Sequence, residues 1–192
     1  MISRRLVIAV VLLAVAVLVL GFQVYRIFGR AKEITPAADN RPIAPPVSGP
    51  PTAVALFLAS DSDGTLHRTN TTIALPAEPS KRAKEVLRAL VAQYQEQSAT
   101  HSLGAGADID DVYLVNDTLA VVDANAVFAE GHRSGILVEE LTLASMAQTL
   151  AANLPGITRM KLLIGGKERA TLAGHADLTQ PYDVARASAM VK

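Results

Sequence analysis

Leu141 to Leu178 reads LTLASMAQTLAANLPGITRMKLLIGGKERATLAGHADL, and the order of its signals decides the fold. Leu143, Ala147, Leu150 and Leu154 recur along one helical line, which Leu137, Leu141 and Ala144 widen. Pro155-Gly156 ends that helix: proline cannot continue it, and glycine readily takes the left-handed conformation of a helix end. Ile157–Ile164 follows as an apolar strand. Gly165-Gly166 then offers a two-residue turn where positive φ costs little, so Lys167–Leu172 is expected to return as a hairpin partner. Gly174-His175-Ala176-Asp177-Leu178 closes the block.

Upstream, the pattern repeats in kind. Ala53–Ala59 is an apolar strand, Ser60 to Gly64 a turn cluster, and Leu66–Leu75 a second strand that Pro76 ends. Ala83, Val86, Leu87, Leu90, Val91 and Tyr94 fall on one face of a helix from Pro79 or Ser80 to Gln95. Ile109–Val115 and Thr118–Ala124 read as strands joined at Asn116-Asp117, and a second helix spans about Gly135 to Leu154. The order is ββαββαββ. It implies an α+β fold with one largely antiparallel sheet and two amphipathic helices on one face.

The first third is different. Leu6 to Phe22 is an unbroken apolar run of 17 residues. At a rise of about 1.5 Å per residue it covers roughly 26 Å, or roughly 34 Å when continued to Phe28, against a hydrocarbon core about 30 Å thick. The run exceeds the ~7–15 apolar residues of a cleaved signal, and Gly21-Phe22-Gln23-Val24 offers no small-x-small site. Residues 1–32 therefore read as a cytoplasmic stub and an uncleaved signal anchor, with residues 6–28 in the bilayer. Arg4 and Arg5 flank one end and Arg26, Arg30 and Lys32 the other, so charge alone does not orient it. Residues 33–52 carry six of the ten prolines and read as an extended linker. The folded domain is expected over 53–181, with 182–192 as a tail.

Composition narrows the chemistry. The chain has no cysteine, which removes disulfides, thiolate metal sites and a cysteine nucleophile. Five of the 18 basic residues lie at or before Lys32, so the remainder is net acidic by five, a poor match to nucleic acid. No two of His67, His101, His132 and His175 are spaced as a helical metal pair. Asp61-x-Asp63-Gly64 lacks the spacing of a calcium loop and reads as a hairpin turn, and no Gly-x-Ser-x-Gly occurs. Glu139 and Glu140 stand in the first turns of the second helix, where acids complement the helix dipole. No cofactor is expected.

From Glu130 onward the chain resembles the GerMN domain of spore-germination and sporulation proteins. The matching residues are Gly131-His132-x-Ser134-Gly135, Glu139-x-Leu141-Thr142, Gln148-Thr149-Leu150 and Leu154-Pro155-Gly156-Ile157, then Leu163-Ile164-Gly165-Gly166-Lys167 and Thr171 to Leu178. Ile136-Leu137-Val138 depart from the small residues and serines usual before this helix. The resemblance implies a non-enzymatic domain outside the cytoplasmic membrane, with the N-terminus inside, and a role in envelope assembly. The expected partner is an envelope protein. Peptidoglycan is the alternative, and a metal-dependent hydrolase using His132, His175 and Asp177 is a third reading. The positions singled out as partner-binding or architectural are Glu139, Gln148, Gly174, His175 and Asp177. For Gly174, His175 and Asp177 the favoured role is structural: a tight bend, and side chains that bond the backbone at a strand end.

Overall fold

The computed structural model describes residues 49–192. The anchor expected over 6–28 and the linker up to residue 48 lie outside the described residues. Among the described residues no helix is long and apolar enough to cross a membrane.

The chain runs β1 (Pro51–Ser60), β2 (Thr65–Ala74), α1 (Pro79–Gln95), β3 (Ile109–Asn116), β4 (Leu119–Ala124), α2 (Ala126–Glu130), α3 (Ile136–Asn153), β5 (Arg159–Ile164), β6 (Tyr182–Asp183) and α4 (Val184–Ser188). The class is mixed α+β, as the sequence indicates. The six α1 residues placed on one face, Ala83, Val86, Leu87, Leu90, Val91 and Tyr94, are all buried. They meet Leu56, Phe128, Met146 and Leu150 in a shared core.

The single sheet expected from the sequence is instead two: an antiparallel β1-β2 pair, and a four-stranded sheet in the order β3-β4-β5-β6. The reason lies on the free edge of β1. Side chains, not a strand, satisfy its backbone. Asn153 Oδ1 accepts from Ala55 N at 3.1 Å, Thr149 Oγ1 from Phe57 N at 3.0 Å and Tyr94 Oη from Ala59 N at 2.8 Å. Ser145 Oγ donates to Phe57 O at 2.6 Å, and Asn153 Nδ2 to Ala55 O at 2.7 Å. Ser145, Thr149 and Asn153 are spaced by four, so one stripe of α3 replaces a neighbouring strand. Buried backbone groups must be paired, and here the pairing stops the sheet from continuing.

The expected hairpin after Gly165-Gly166 does not extend into a strand. Lys167 makes one bridge to Ile164, Thr171 makes one to Asp177, and the segment between is irregular. The start of β5 is already paired on both edges. Residues 119–124 of β4 pair with it in parallel on one side, and Asp183 and Tyr182 pair with Arg159 and Met160 on the other. The parallel pairing follows from the long helical connection between β4 and β5, which can carry the chain back to start in the same direction. Residues 182–192, expected as a tail, supply β6 and α4. Leu66 N donates to Met190 O at 2.8 Å and Lys192 N to Leu66 O at 3.1 Å.

Two turns are fixed by single side chains. Asn116 Oδ1 accepts from Thr118 N and Leu119 N, both at 2.9 Å, and closes the β3-β4 connection. Asn125 caps α2 by accepting from Phe128 N at 3.0 Å, while its amide donates to Gly106 O at 2.8 Å. Asn125→Ala removes both, together with the bond its oxygen accepts from Asp108 N at 3.2 Å, and about 1–2 kcal/mol of stability is expected to go with them, read as a lower urea midpoint at unchanged m-value.

Candidate functional site

The N-terminal end of α3 organises the surface that the sequence singles out. Gly135 precedes the helix at φ 157°, and the first exposed residues are Ile136 and Leu137, at 75% and 47% exposure. One turn on, Glu139 is fully buried. Its Oε1 accepts from Gly135 N at 3.1 Å, so it does serve the helix start. Its larger task is across the fold. Oε2 accepts from Ala173 N and His175 N at 3.0 Å and from Ala176 N at 2.8 Å. His175 Nδ1 bonds Oε1 at 2.9 Å. Burial alone would raise this carboxyl, but the donors from Ala173, Ala176 and His175 outweigh it and hold the pKa at about 2 instead of 4.5.

Glu139 thus serves as the anchor of the 173–176 corner. Gly174 sits at φ 121°, a conformation that favours glycine, and lets the chain turn round the carboxylate. His175 stays partly exposed, its side chain at 42%. Ser134 Oγ lies 3.3 Å from His175 Nδ1, the same ring nitrogen that meets Glu139. A relay of serine, histidine and acid needs the two partners on opposite ring nitrogens. Ser134, His175 and Glu139 therefore do not form one in this geometry, and the outward Nε2 is the free end of the ring.

The other singled-out residues lie elsewhere. Asp177 Oδ1 accepts from Thr179 N and Thr179 Oγ1, both at 2.7 Å, and these bonds lower its pKa. Gln148 Oε1 accepts from Ser188 Oγ at 3.2 Å and ties α4 to α3. His132 is buried on its own set of bonds. The structure does not gather His132, His175 and Asp177, and among the described residues no three His, Cys, Asp or Glu side chains group as a metal site. A concavity of about 530 Å3 lies toward the opposite end of α3, lined by Arg82, Leu114, Asn116, Asn153 and Pro155 among others.

One constellation has no counterpart in the sequence reading. His101, fully buried, bonds Asp61 Oδ1 through Nδ1 at 2.6 Å and Thr142 Oγ1 through Nε2 at 2.8 Å. His132 Nε2 bonds the same Thr142 oxygen at 2.7 Å, and its Nδ1 bonds Arg133 O at 2.8 Å. Arg133 reaches over to Asp61 Oδ2 at 2.6 Å. Burial lowers the pKa of both rings, more than the Asp61 carboxylate restores at His101 and the Arg133 carbonyl at His132. Residues from four separate segments converge here, and no local spacing announces it.

The family model described as Germane, sporulation and spore germination, matches residues 55–170. No curated protein matches the chain significantly. Among solved structures, the tandem GerMN domains of the sporulation protein GerM from Bacillus subtilis align at 21% identity and a TM-score of 0.50, over 68% of this chain and 45% of that one. The first GerMN domain of the same protein aligns at 20% identity and a TM-score of 0.48, over 67% of this chain and 94% of that domain.

Proposed function

The chain belongs to the Germane family of sporulation and spore germination domains, and from that premise we propose that it is a membrane-anchored module that binds an envelope protein and performs no catalysis. In this reading residues 6–28 form a single-pass anchor in the cytoplasmic membrane, with the N-terminus inside and the folded domain outside. The observation that carries it is the corner at the start of α3. Glu139 spends five hydrogen bonds on presenting His175 and Gly174 beside Ser134 and two exposed apolar residues, Ile136 and Leu137. A rigid polar rim around a small apolar centre suits protein docking, where a few anchors carry most of the binding energy. Ile136 stands in water and Leu137 lies over the Gly64 turn with about half its surface open, so the pair offers an apolar contact to a partner.

The test is photo-crosslinking in cells from position Ser134 of the full-length chain, with and without Ile136→Ser plus Leu137→Ser. These are surface changes, expected to alter stability by less than about 0.5 kcal/mol. The expected result is a discrete adduct with an envelope protein, whose yield falls at least about tenfold in the double variant. Undiminished yield would sink the docking role of this corner. Co-sedimentation with isolated cell wall and no protein adduct would replace the reading with peptidoglycan binding.

A further inference from the structure

The buried histidine cluster is short of one hydrogen. Four contacts run in line: Asp61 Oδ1 to His101 Nδ1, His101 Nε2 to Thr142 Oγ1, Thr142 Oγ1 to His132 Nε2, and His132 Nδ1 to Arg133 O. Each requires one hydrogen. The carboxylate and the carbonyl bring none, each neutral imidazole brings one, and the hydroxyl brings one. Three hydrogens cannot fill four contacts in any choice of tautomers, and an unfilled contact sets two lone pairs against each other within 2.8 Å. Thr142 Oγ1 is also 3.1 Å from Val138 O, which competes for the same hydroxyl hydrogen.

We infer that Asp61, His101, Thr142 and His132 form a proton-binding site, which closes on taking up one proton and opens one contact on losing it. With the proton bound, His101 donates to both Asp61 and Thr142, Thr142 donates to His132, and His132 donates to Arg133 O. The closed chain ties the 131–135 loop to the β1-β2 turn through α3. The charged and titratable groups around it are few. Asp61 in the β1-β2 turn and Glu139 in α3 favour the proton. Arg133 in the loop before α3 opposes it, and each ring opposes a charge on the other. Tyr94 of α1 meets His101 edge-on at 4.8 Å between ring centroids, with its hydroxyl engaged by Ser145 and Ala59. Burial disfavours the charged rings, so the site is open near neutral pH and closes on acidification.

Amide hydrogen exchange of the full-length protein, corrected for intrinsic rates, tests this without reference to any binding partner. Closing one buried hydrogen bond is expected to raise protection across Gly131–Gly135 roughly tenfold as the pH falls from 8 to about 4.5, a range that reaches well below the ordinary imidazole value of about 6.5 because burial lowers both rings. Asp61→Asn is the decisive variant. Its amide donates to His101 Nδ1 while its oxygen still faces Arg133, so four neutral hydrogens fill four contacts. Protection should then stay at the closed level at both pH values. Thr142→Val, which removes the central hydroxyl, should hold it at the open level at both. Wild-type protection that is independent of pH would overturn the inference, and so would a wild-type pH response in either variant.

Discussion

Glu139→Gln is expected to destabilise the domain by about 2–4 kcal/mol, although the two side chains have nearly the same shape. Glutamine keeps one accepting oxygen. Its amide nitrogen would stand against either the Ala173, His175 and Ala176 N–H groups or the Gly135 N–H, the His175 ring accepting in the second case by carrying its hydrogen on Nε2. In the better orientation one donor still faces a donor and every remaining bond loses its charge, in a site closed to water, since Glu139 has no exposed surface. Buried donors without partners cost about 1–3 kcal/mol each, and relaxation of the corner recovers only part of that. A thermal melt should show a midpoint lower by roughly 5–15 °C. Exchange should show the 173–176 amides losing protection before the core does. A variant as stable as wild type would mean that the corner holds itself.

The same carboxylate gives the effect a pH signature. Its folded pKa, about 2, lies below the ordinary 4.5. A depressed carboxyl contributes its full stabilisation above the unfolded value and loses it as pH falls toward the folded one. Wild type should therefore lose this contribution between about pH 4.5 and pH 2, whereas glutamine has no such proton to take up. Urea unfolding of both proteins at pH 7, 4 and 3 should show the gap between them narrowing in acid. A gap constant over that range would assign the stabilisation to shape and not to charge.

Glu139 also marks how far the sequence carries. Its place in the first turn of a helix is readable, because the apolar spacing of Leu141, Ala144 and Leu150 fixes that helix and its dipole favours an acid there. Its grip on residues 173–176 is not, because those partners lie more than thirty positions away in an irregular segment. The six buried positions of α1 followed from periodicity alone. Periodicity says nothing about which strand edges meet, so the split into two sheets was hidden. A signal for it was nonetheless present. Ser145, Thr149 and Asn153 interrupt an apolar helix at intervals of four, and a polar stripe on a buried helix needs polar partners. His101 carried no such signal: it lies in a loop of small residues, forty or more positions from its partners, Asp61 in a turn and Thr142 within a helix.

The stripe is also where the next largest effect is expected. Thr149→Val keeps the volume and the β-branch but removes the oxygen that accepts from Phe57 N. Both residues are buried, so water cannot replace it, and a loss of about 2–3 kcal/mol is expected by urea unfolding. Thr149→Ser retains the oxygen and should stay within about 1.5 kcal/mol of wild type, the cost of one methyl. Equal stability of the valine and serine variants would show that the hydrogen bond is dispensable. A second consequence distinguishes edge capping from ordinary packing. β1 pairs with β2 on one side only, and α3 and Tyr94 cover the other. An uncovered edge is a template for another strand. Thr149→Val should therefore associate with increasing concentration under mildly destabilising conditions. A core-cavity variant of equal cost, such as Leu87→Ala, leaves the capping side chains in place and should unfold without that concentration dependence.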